Sequence, residues 1–179
     1  MSGLWGKILR VDLSKSTITE EAIPDEWARK FLGGRGIAVK YLIEEVPRGA
    51  DPLGPQNVLI FMTGLLTGAG SPTASKVSVV AKSPLTGIFG HSIAGGAWPT
   101  KLKRTGFDGI IFQGVSPKPV YLVIDEGVAE LRDAEHLWGK NVLETTETIR
   151  EEVGKEFGVT AIGTAGENLV KYAAIVDNE

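Results

Sequence analysis

One pattern occurs twice along the 179 residues, and it limits the folds open to this chain more than any other feature. An alternating strand at Lys7–Leu13, a tight Ser14-Lys15 connection and a return strand at Ser16–Ala22 read as a hairpin. VYLVIDEGVAELRD repeats it, with strands at Val120–Asp125 and Val128–Arg132 across a Glu126-Gly127 turn, so Ile8–Asp12 corresponds to Tyr121–Asp125. The helical region Asp25–Glu45 corresponds to Ala134–Val153, and NVLIFMTGLLTG to GVTAIGTAGENL, with Val58 matching Val159. Lys76–Val80 then corresponds to Lys171–Ile175. The offsets shrink from 113 to 101 to 95, so the second copy has shorter connections. A unit of strand hairpin, helix, strand, strand used twice is a duplication; a solenoid would show shorter periods and more copies. Chance likeness between two strand-rich segments is the competing reading. Two such units facing one another make an α+β fold with two mixed or antiparallel β-sheets and flanking helices.

Local signals fill in the units. Asp25 and Glu26 suit the first turn of a helix over Asp25–Leu32, which Gly33-Gly34 ends. A second helix, Ile37–Glu45, stops ahead of Pro47, because the residue before proline avoids the α region. Strands are expected at Val58–Thr63, Lys76–Ala81, Gly109–Gln113, Val159–Ile162 and Lys171–Val176, and a helix near Val142–Val153.

The end of the first copy and the segment after it, Gly64–Gly106, form a stretch of unusual chemistry. It reads as a small-residue loop, the strand KVSVVA, a second loop, and Gly95-Gly96 opening a cationic helix over Ala97–Arg104. Glycine permits positive φ and close approach, so such loops can aim several backbone N–H groups at one anion. A helix start adds further N–H groups. The same composition also suits a turn-rich connection in a mixed sheet.

Bulk composition removes several classes of function. At 42% hydrophobic and 23% charged residues, the chain can bury a substantial core. A net charge of −3, with both signs mixed throughout, lacks the basic field a nucleic-acid surface needs. No apolar run approaches a membrane span, and MSGLWGKILRVDL lacks a secretory core, so neither membrane nor export is expected and the cytoplasm is the default. Without cysteine there is no disulfide, thiolate ligand or thiol nucleophile, and His91 and His136 alone make no zinc site.

Seven ordered blocks resemble a known family: WGKILRVDL, GGRGIA, ADPLGPQNVLIF, TGLLTG, SPLTG, KLKRTGFDGIIFQG and AGENLVKYAAI. Together they look like the N-terminal domain of the tungsten-dependent aldehyde ferredoxin oxidoreductases, over nearly all of residues 1–179. The resemblance implies a duplicated α+β domain forming the base for a tungsten bis-pterin cofactor with a bridging magnesium. It also implies a 4Fe-4S cluster held by cysteines of later domains, with those C-terminal domains, ferredoxin and a small aldehyde as partners. It leaves room for a homodimer.

The resemblance also carries site residues. The family's cofactor-binding arginine falls at Lys76, which keeps the charge but loses the planar two-pronged grip. Charge-assisted hydrogen bonds are each worth roughly 1.5–3 kcal/mol, so one lost bond weakens binding about tenfold or more. A solvated strand-end lysine is the plain alternative. The family's magnesium-holding asparagine falls at Ile93, which offers only its backbone carbonyl, whereas magnesium requires oxygen ligands. Ala94, Gly95 and Gly96 complete the cofactor-binding set, with Gly95 matching a glycine whose backbone meets the pterin. No catalytic side chain is assigned within this chain.

Other polar and aromatic residues have ordinary explanations. Arg35 suits a capping or surface role, and His91 a polar loop position from which it could also meet a phosphate. His136 belongs to a short helix packing Trp138, and the four tryptophans read as core or interface anchors. Lys101, Lys103 and Arg104 compensate a helix dipole.

The implied function is the cofactor-cradling part of an enzyme turning aldehyde and water into carboxylic acid, with electrons passing through the cluster to ferredoxin. The alternative is a stand-alone, non-catalytic module that docks other domains or a small anion, motivated by the departures at Lys76 and Ile93. The duplication adds one expectation: the counterpart of the SIAGG loop lies beyond Glu179, making this chain a fragment holding half of a two-fold cradle, unable to support catalysis alone.

Overall fold

A computed structural model describes residues 3–178. Ten strands and five α-helices follow one another as expected of an α+β chain. The first unit is the hairpin β1 (Lys7–Asp12) and β2 (Thr17–Ala22), helices α1 (Asp25–Phe31) and α2 (Gly34–Glu45), then β3 (Val58–Thr63), β4 (Val77–Lys82) and β5 (Phe89–Ala94). After α3 (Trp98–Arg104), strand β6 (Gly109–Gln113) returns to the middle of the sheet. The order is β2-β1-β6-β3-β4-β5, antiparallel except for the β1–β6 pair.

The central position of β6 follows from its sequence. GIIFQ is apolar on both faces, which suits a strand covered on both sides. Ile111 turns to one cluster, with Ile8, Ile60, Met62 and Val80 against Ile37 and Tyr41 of α2. Ile110 turns to the other, with Leu9, Val11, Phe61, Val77, Leu102 and Phe107. At Gly109 a side chain would run into the Phe61 carbonyl, so only glycine lets the strand enter there.

The second unit holds β7 (Val120–Asp125), β8 (Val128–Asp133), a 3₁₀ turn at Glu135–Leu137, α4 (Val142–Val153), β9 (Val159–Ala161), α5 (Thr164–Glu167) and β10 (Val176–Asn178). Leu122, Ile124, Ala129 and Leu131 of β7–β8 pack on the second cluster of the large sheet. Tyr121 turns the other way, onto Ala134, Leu137, Ile149 and Val159. The layers therefore run helices, six-stranded sheet, strand ribbons, helix, with the two units facing one another across the second cluster. Among the described residues the strands of the second unit form two separate ribbons, β7–β8 and β9–β10, where the first unit has one continuous sheet.

Three local expectations need correction. Phe89–Ala94, read from sequence as loop, is a strand paired along its length with β4. The last strand starts at Val176 rather than Lys171, because Leu169 takes φ +56° and an Ala173 N–H to Val170 carbonyl bond closes a turn. For Trp5 and Trp138, read as core or interface anchors, exposure removes the core alternative, although the Trp5 indole N–H donates to the Lys103 carbonyl at 2.7 Å.

Candidate functional site

Three glycine-bearing connections meet at one end of β3, β4 and β5. A side chain on Gly33 would begin 3.5 Å from the Thr63 carbonyl oxygen, and one on Gly34 would begin 3.6 Å from Ser78 Oγ and 3.9 Å from Gly64 Cα. One on Gly95 would begin 2.9 Å from Lys76 Nζ and 3.6 Å from the Ser75 carbonyl oxygen. The start of α2, the loop after β3, the start of β4 and the segment after β5 therefore converge.

Two hydroxyl residues fix this convergence. Thr67 is buried; its Oγ1 accepts from the Gly64 N–H at 3.2 Å and donates to the Lys76 carbonyl at 2.9 Å. Ser75 Oγ donates to the Gly96 carbonyl at 2.5 Å and lies 2.9 Å from Thr100 Oγ1 in α3. Neither was singled out in the sequence, where both sit in runs of small polar residues without period. The spacing of Thr67 after Gly64 was the available signal, since a threonine three residues on can close such a turn.

Lys76 is exposed just ahead of β4, with its ammonium over the Gly95 backbone. Among the described residues no carboxylate lies within ion-pair distance of it. Gly96 is exposed at φ +82°. Ala94 is half-buried against the second cluster and pairs with Val77.

Ile93 is exposed on β5 opposite Ser78. The Ser83 N–H bonds the Ile88 carbonyl at 2.8 Å, one step beyond the Lys82–Phe89 pair. Antiparallel alternation then gives bonded pairs at Ala81–Gly90, Val79–Ser92 and Val77–Ala94. The N–H and carbonyl of Ile93 consequently point away from β4, at the outer edge of the sheet.

These residues fit an anionic group: a cation without a counter-charge stands over backbone that carries no side chain. They fit a metal only through main-chain oxygen, because the Ile93 side chain has none and no group of three His, Asp or Glu gathers among the described residues.

His91 lies in β5, not in a loop, with its ring stacked on Phe89 at 6.0 Å between centroids. Its Nε2 is enclosed and has no hydrogen-bond partner among the described residues. Burial, and then the nearby Arg35 charge, hold its pKa below the ordinary histidine value. Arg35, expected in a capping or surface role, is exposed at the start of α2 and adds positive charge beside the convergence. Lys103 is a correction of another kind: it is buried and ion-paired with fully buried Asp108, which also accepts from the backbone N–H groups of Trp5 and Gly6. His136 bonds Glu152 of α4 at 2.7 Å and takes no part in the site.

Comparison with known proteins places the chain. Residues 8–179 match the family model described as aldehyde ferredoxin oxidoreductase, N-terminal domain. The tungsten-containing aldehyde ferredoxin oxidoreductases of Pyrococcus furiosus and Pyrococcus abyssi are 47% and 46% identical to it, over 99% of this chain and 30% of theirs. The WOR-like subunit of an aliphatic sulfonate oxidoreductase from Pyrococcus furiosus is 36% identical over 96% of this chain and 30% of its own. Among solved structures, the BamBC active-site complex of benzoyl coenzyme A reductase with 1,5-dienoyl-CoA superposes with a TM-score of 0.97 and 41% identity. That match covers 99% of this chain and 27% of the other. The chain thus spans about 30% of the length of the curated relatives it matches, and it belongs to the aldehyde ferredoxin oxidoreductase N-terminal domain family.

Proposed function

We propose that residues 1–179 are the cofactor-cradling domain of a longer tungsten-dependent oxidoreductase. The reaction is aldehyde plus water to carboxylic acid, releasing two protons and two electrons, which leave through an iron–sulfur cluster held outside this chain to ferredoxin. When bound, a tungsten bis-pterin with bridging magnesium supplies the two-electron chemistry. The observation that carries the reading is Lys76, a cation without a carboxylate partner among the described residues, lying over the bare backbone of Gly95. In this role Lys76 neutralises phosphate charge, Ala94, Gly95 and Gly96 let the group approach the main chain, and the outward Ile93 carbonyl offers the magnesium an oxygen. Relatives named for aldehydes, aliphatic sulfonates and benzoyl coenzyme A share this domain, which supports assigning it the cofactor and leaving substrate choice to other domains.

The test is tungsten content in the complete enzyme. Lys76→Arg retains or raises it, and Lys76→Ala lowers cofactor affinity about tenfold, the value of one charge-assisted bond. Unchanged tungsten in the alanine variant removes Lys76 from the site. Dye reduction by aldehydes tests the reaction itself. The likeness to the benzoyl coenzyme A reductase complex favours one second reading, ring chemistry on a coenzyme A thioester. Dye reduction by 1,5-dienoyl-CoA but by no aldehyde would select it. A complete protein without metal would instead support a non-catalytic docking module.

A further inference from the structure

One exposed segment beside the site is held by little more than its own turns. Residues 68–73, GAGSPT, are exposed along their whole length, between buried Thr67 and half-buried Ala74. One hydroxyl pins both ends. Thr67 Oγ1 accepts from the Gly64 N–H and shares its proton between the Ala74 carbonyl at 3.2 Å and the Lys76 carbonyl at 2.9 Å. Within the segment, the Ala69 N–H bonds the Leu66 carbonyl at 3.1 Å, and the Ala74 N–H bonds the Ser71 carbonyl at 3.3 Å. The N–H groups of Gly70, Ser71 and Thr73 have no hydrogen-bond partner among the described residues.

The far end of this segment is strained. Ser71, Pro72, Thr73 and Ala74 form a turn with Thr73 at φ +62° in the third position, where glycine is favoured. A β-branched side chain there crowds the backbone, and an exposed position offers little packing in return. The other non-glycine residues with positive φ among the described residues have structural reasons. Ser16 and Glu126 lie in the turns of the β1–β2 and β7–β8 hairpins, Leu32 caps α1, and Leu169 follows the cap of α5. Thr73 is at no helix end and in no tight hairpin turn; it stands three residues ahead of Lys76. Strain of this kind gathers at ligand clamps and switch segments, where a second arrangement relieves it.

We infer that residues 68–73 are a strap that pivots on Thr67 and closes over the anionic group held by Lys76, and that Thr73 relaxes as it closes. This rests on the reading of Lys76 as an anion contact. Three features fix the chemistry of what the strap closes on. Gly70, Ser71 and Thr73 bring uncommitted N–H donors, and no acidic side chain lies in GAGSPT to repel an anion. From Thr73 to Lys76 the chain spans at most about 10 Å, so those donors and the ammonium reach one diphosphate-sized group. The small side chains of the segment let its backbone come close to phosphate oxygens. Lys76 is exposed with the strap open, where water weakens its attraction for phosphate; closure removes that water and strengthens the contact. The pivot stays put, because Thr67 is buried and Ser75 remains tied to Gly96 and Thr100.

NMR of this chain titrated with inorganic pyrophosphate, without added metal, tests the strap. The amides of Lys76, Gly95 and Gly96 shift as the anion binds, and exchange of the Gly70, Ser71 and Thr73 amides slows about fivefold or more. Shifts at Gly95 and Gly96 with unchanged exchange in the strap overturn the inference and leave the reading of Lys76 standing. No shift at any of these amides overturns both. Thr73→Gly tests the stored strain, because it relaxes the open strap and leaves closure less to gain. Its pyrophosphate affinity falls about tenfold, the order of the left-handed penalty, while its unfolding midpoint does not fall. Thr73→Ser, polar but unbranched, lies between the two. Unchanged affinity in the glycine variant, or a lowered midpoint, shows that Thr73 stores no strain for closure and overturns that part of the proposal.

Discussion

At the residue scale, the charges that the fold buries differ from those it leaves for a ligand. Asp108 is fully enclosed and accepts from Lys103 and from the Trp5 and Gly6 backbone, tying the chain start to the loop before β6. Asp108→Ala strands a buried ammonium, so we expect a loss of about 3–5 kcal/mol in denaturant unfolding. Replacing Lys103 by Met in the same chain should recover part of it. His91 offers a quieter test. Its pKa is depressed, first by burial and then by Arg35, so the folded state binds fewer protons than the unfolded one. Stability carried by neutral His91 is therefore complete above the unfolded value near 6.5 and declines as pH falls through the folded value. NMR titration should find the His91 midpoint below 6.5, and Arg35→Ala should move it upward. A midpoint indifferent to Arg35 would show that burial alone sets it.

At the element scale, what the sequence disclosed tracks how much of each element's stability is local. β1 and β3 were legible because their apolar residues are their own signal: Ile8, Leu9 and Val11, or the run VLIFMT. β5 was not, because FGHSIA has no apolar period and its strand form rests on pairing with β4. The site shows the same division. Gly95 and Gly96 stood out as glycines, but the position of the Lys76 ammonium over Gly95 and the Thr67 hydroxyl on the Lys76 carbonyl are tertiary facts with no local pattern. The helix α4 lies at the legible extreme. Asn141 Oδ1 accepts from the Glu144 N–H at 3.0 Å, and Glu144 Oε2 accepts from the Asn141 N–H at 3.1 Å, a complete capping box. Asn141→Ala should cost about 1 kcal/mol and lower the thermal midpoint. An unchanged midpoint would mean the Ile149 contacts alone hold this helix.

At the scale of the whole molecule, the two units share much of their element order but not their sheet pairing. The first closes its hairpin and its β3–β4 pair into one sheet, with β6 bonded on both sides and buried on both faces. The second leaves the equivalent pieces as ribbons, held by a small cluster around Ile149 and Val159 and by β7–β8 lying on the large sheet. Isolated ribbons of two strands are marginal in water, so the fold should open from that end. In this chain, native-state exchange at low denaturant should separate two groups of amides. Ile60, Met62 and Ile111 should exchange only through global unfolding, with the steep denaturant dependence of a large exposed area. Thr160, Ala161 and Asp177 should exchange through a smaller opening with a shallow dependence, merging with the first group only near the midpoint. The pH should matter too: Glu152 is held below its ordinary value, first by the Tyr121 hydroxyl and then by His136. The stability it lends to the contact between α4 and β7 is present above the unfolded carboxylate value and lost as pH falls through the lower folded one. Once the slower intrinsic exchange in acid is divided out, the opening free energy of the second group should therefore fall before that of the first. A single exchange isotherm for both groups, unmoved in order by acid, would mean that the two units fold as one cooperative body.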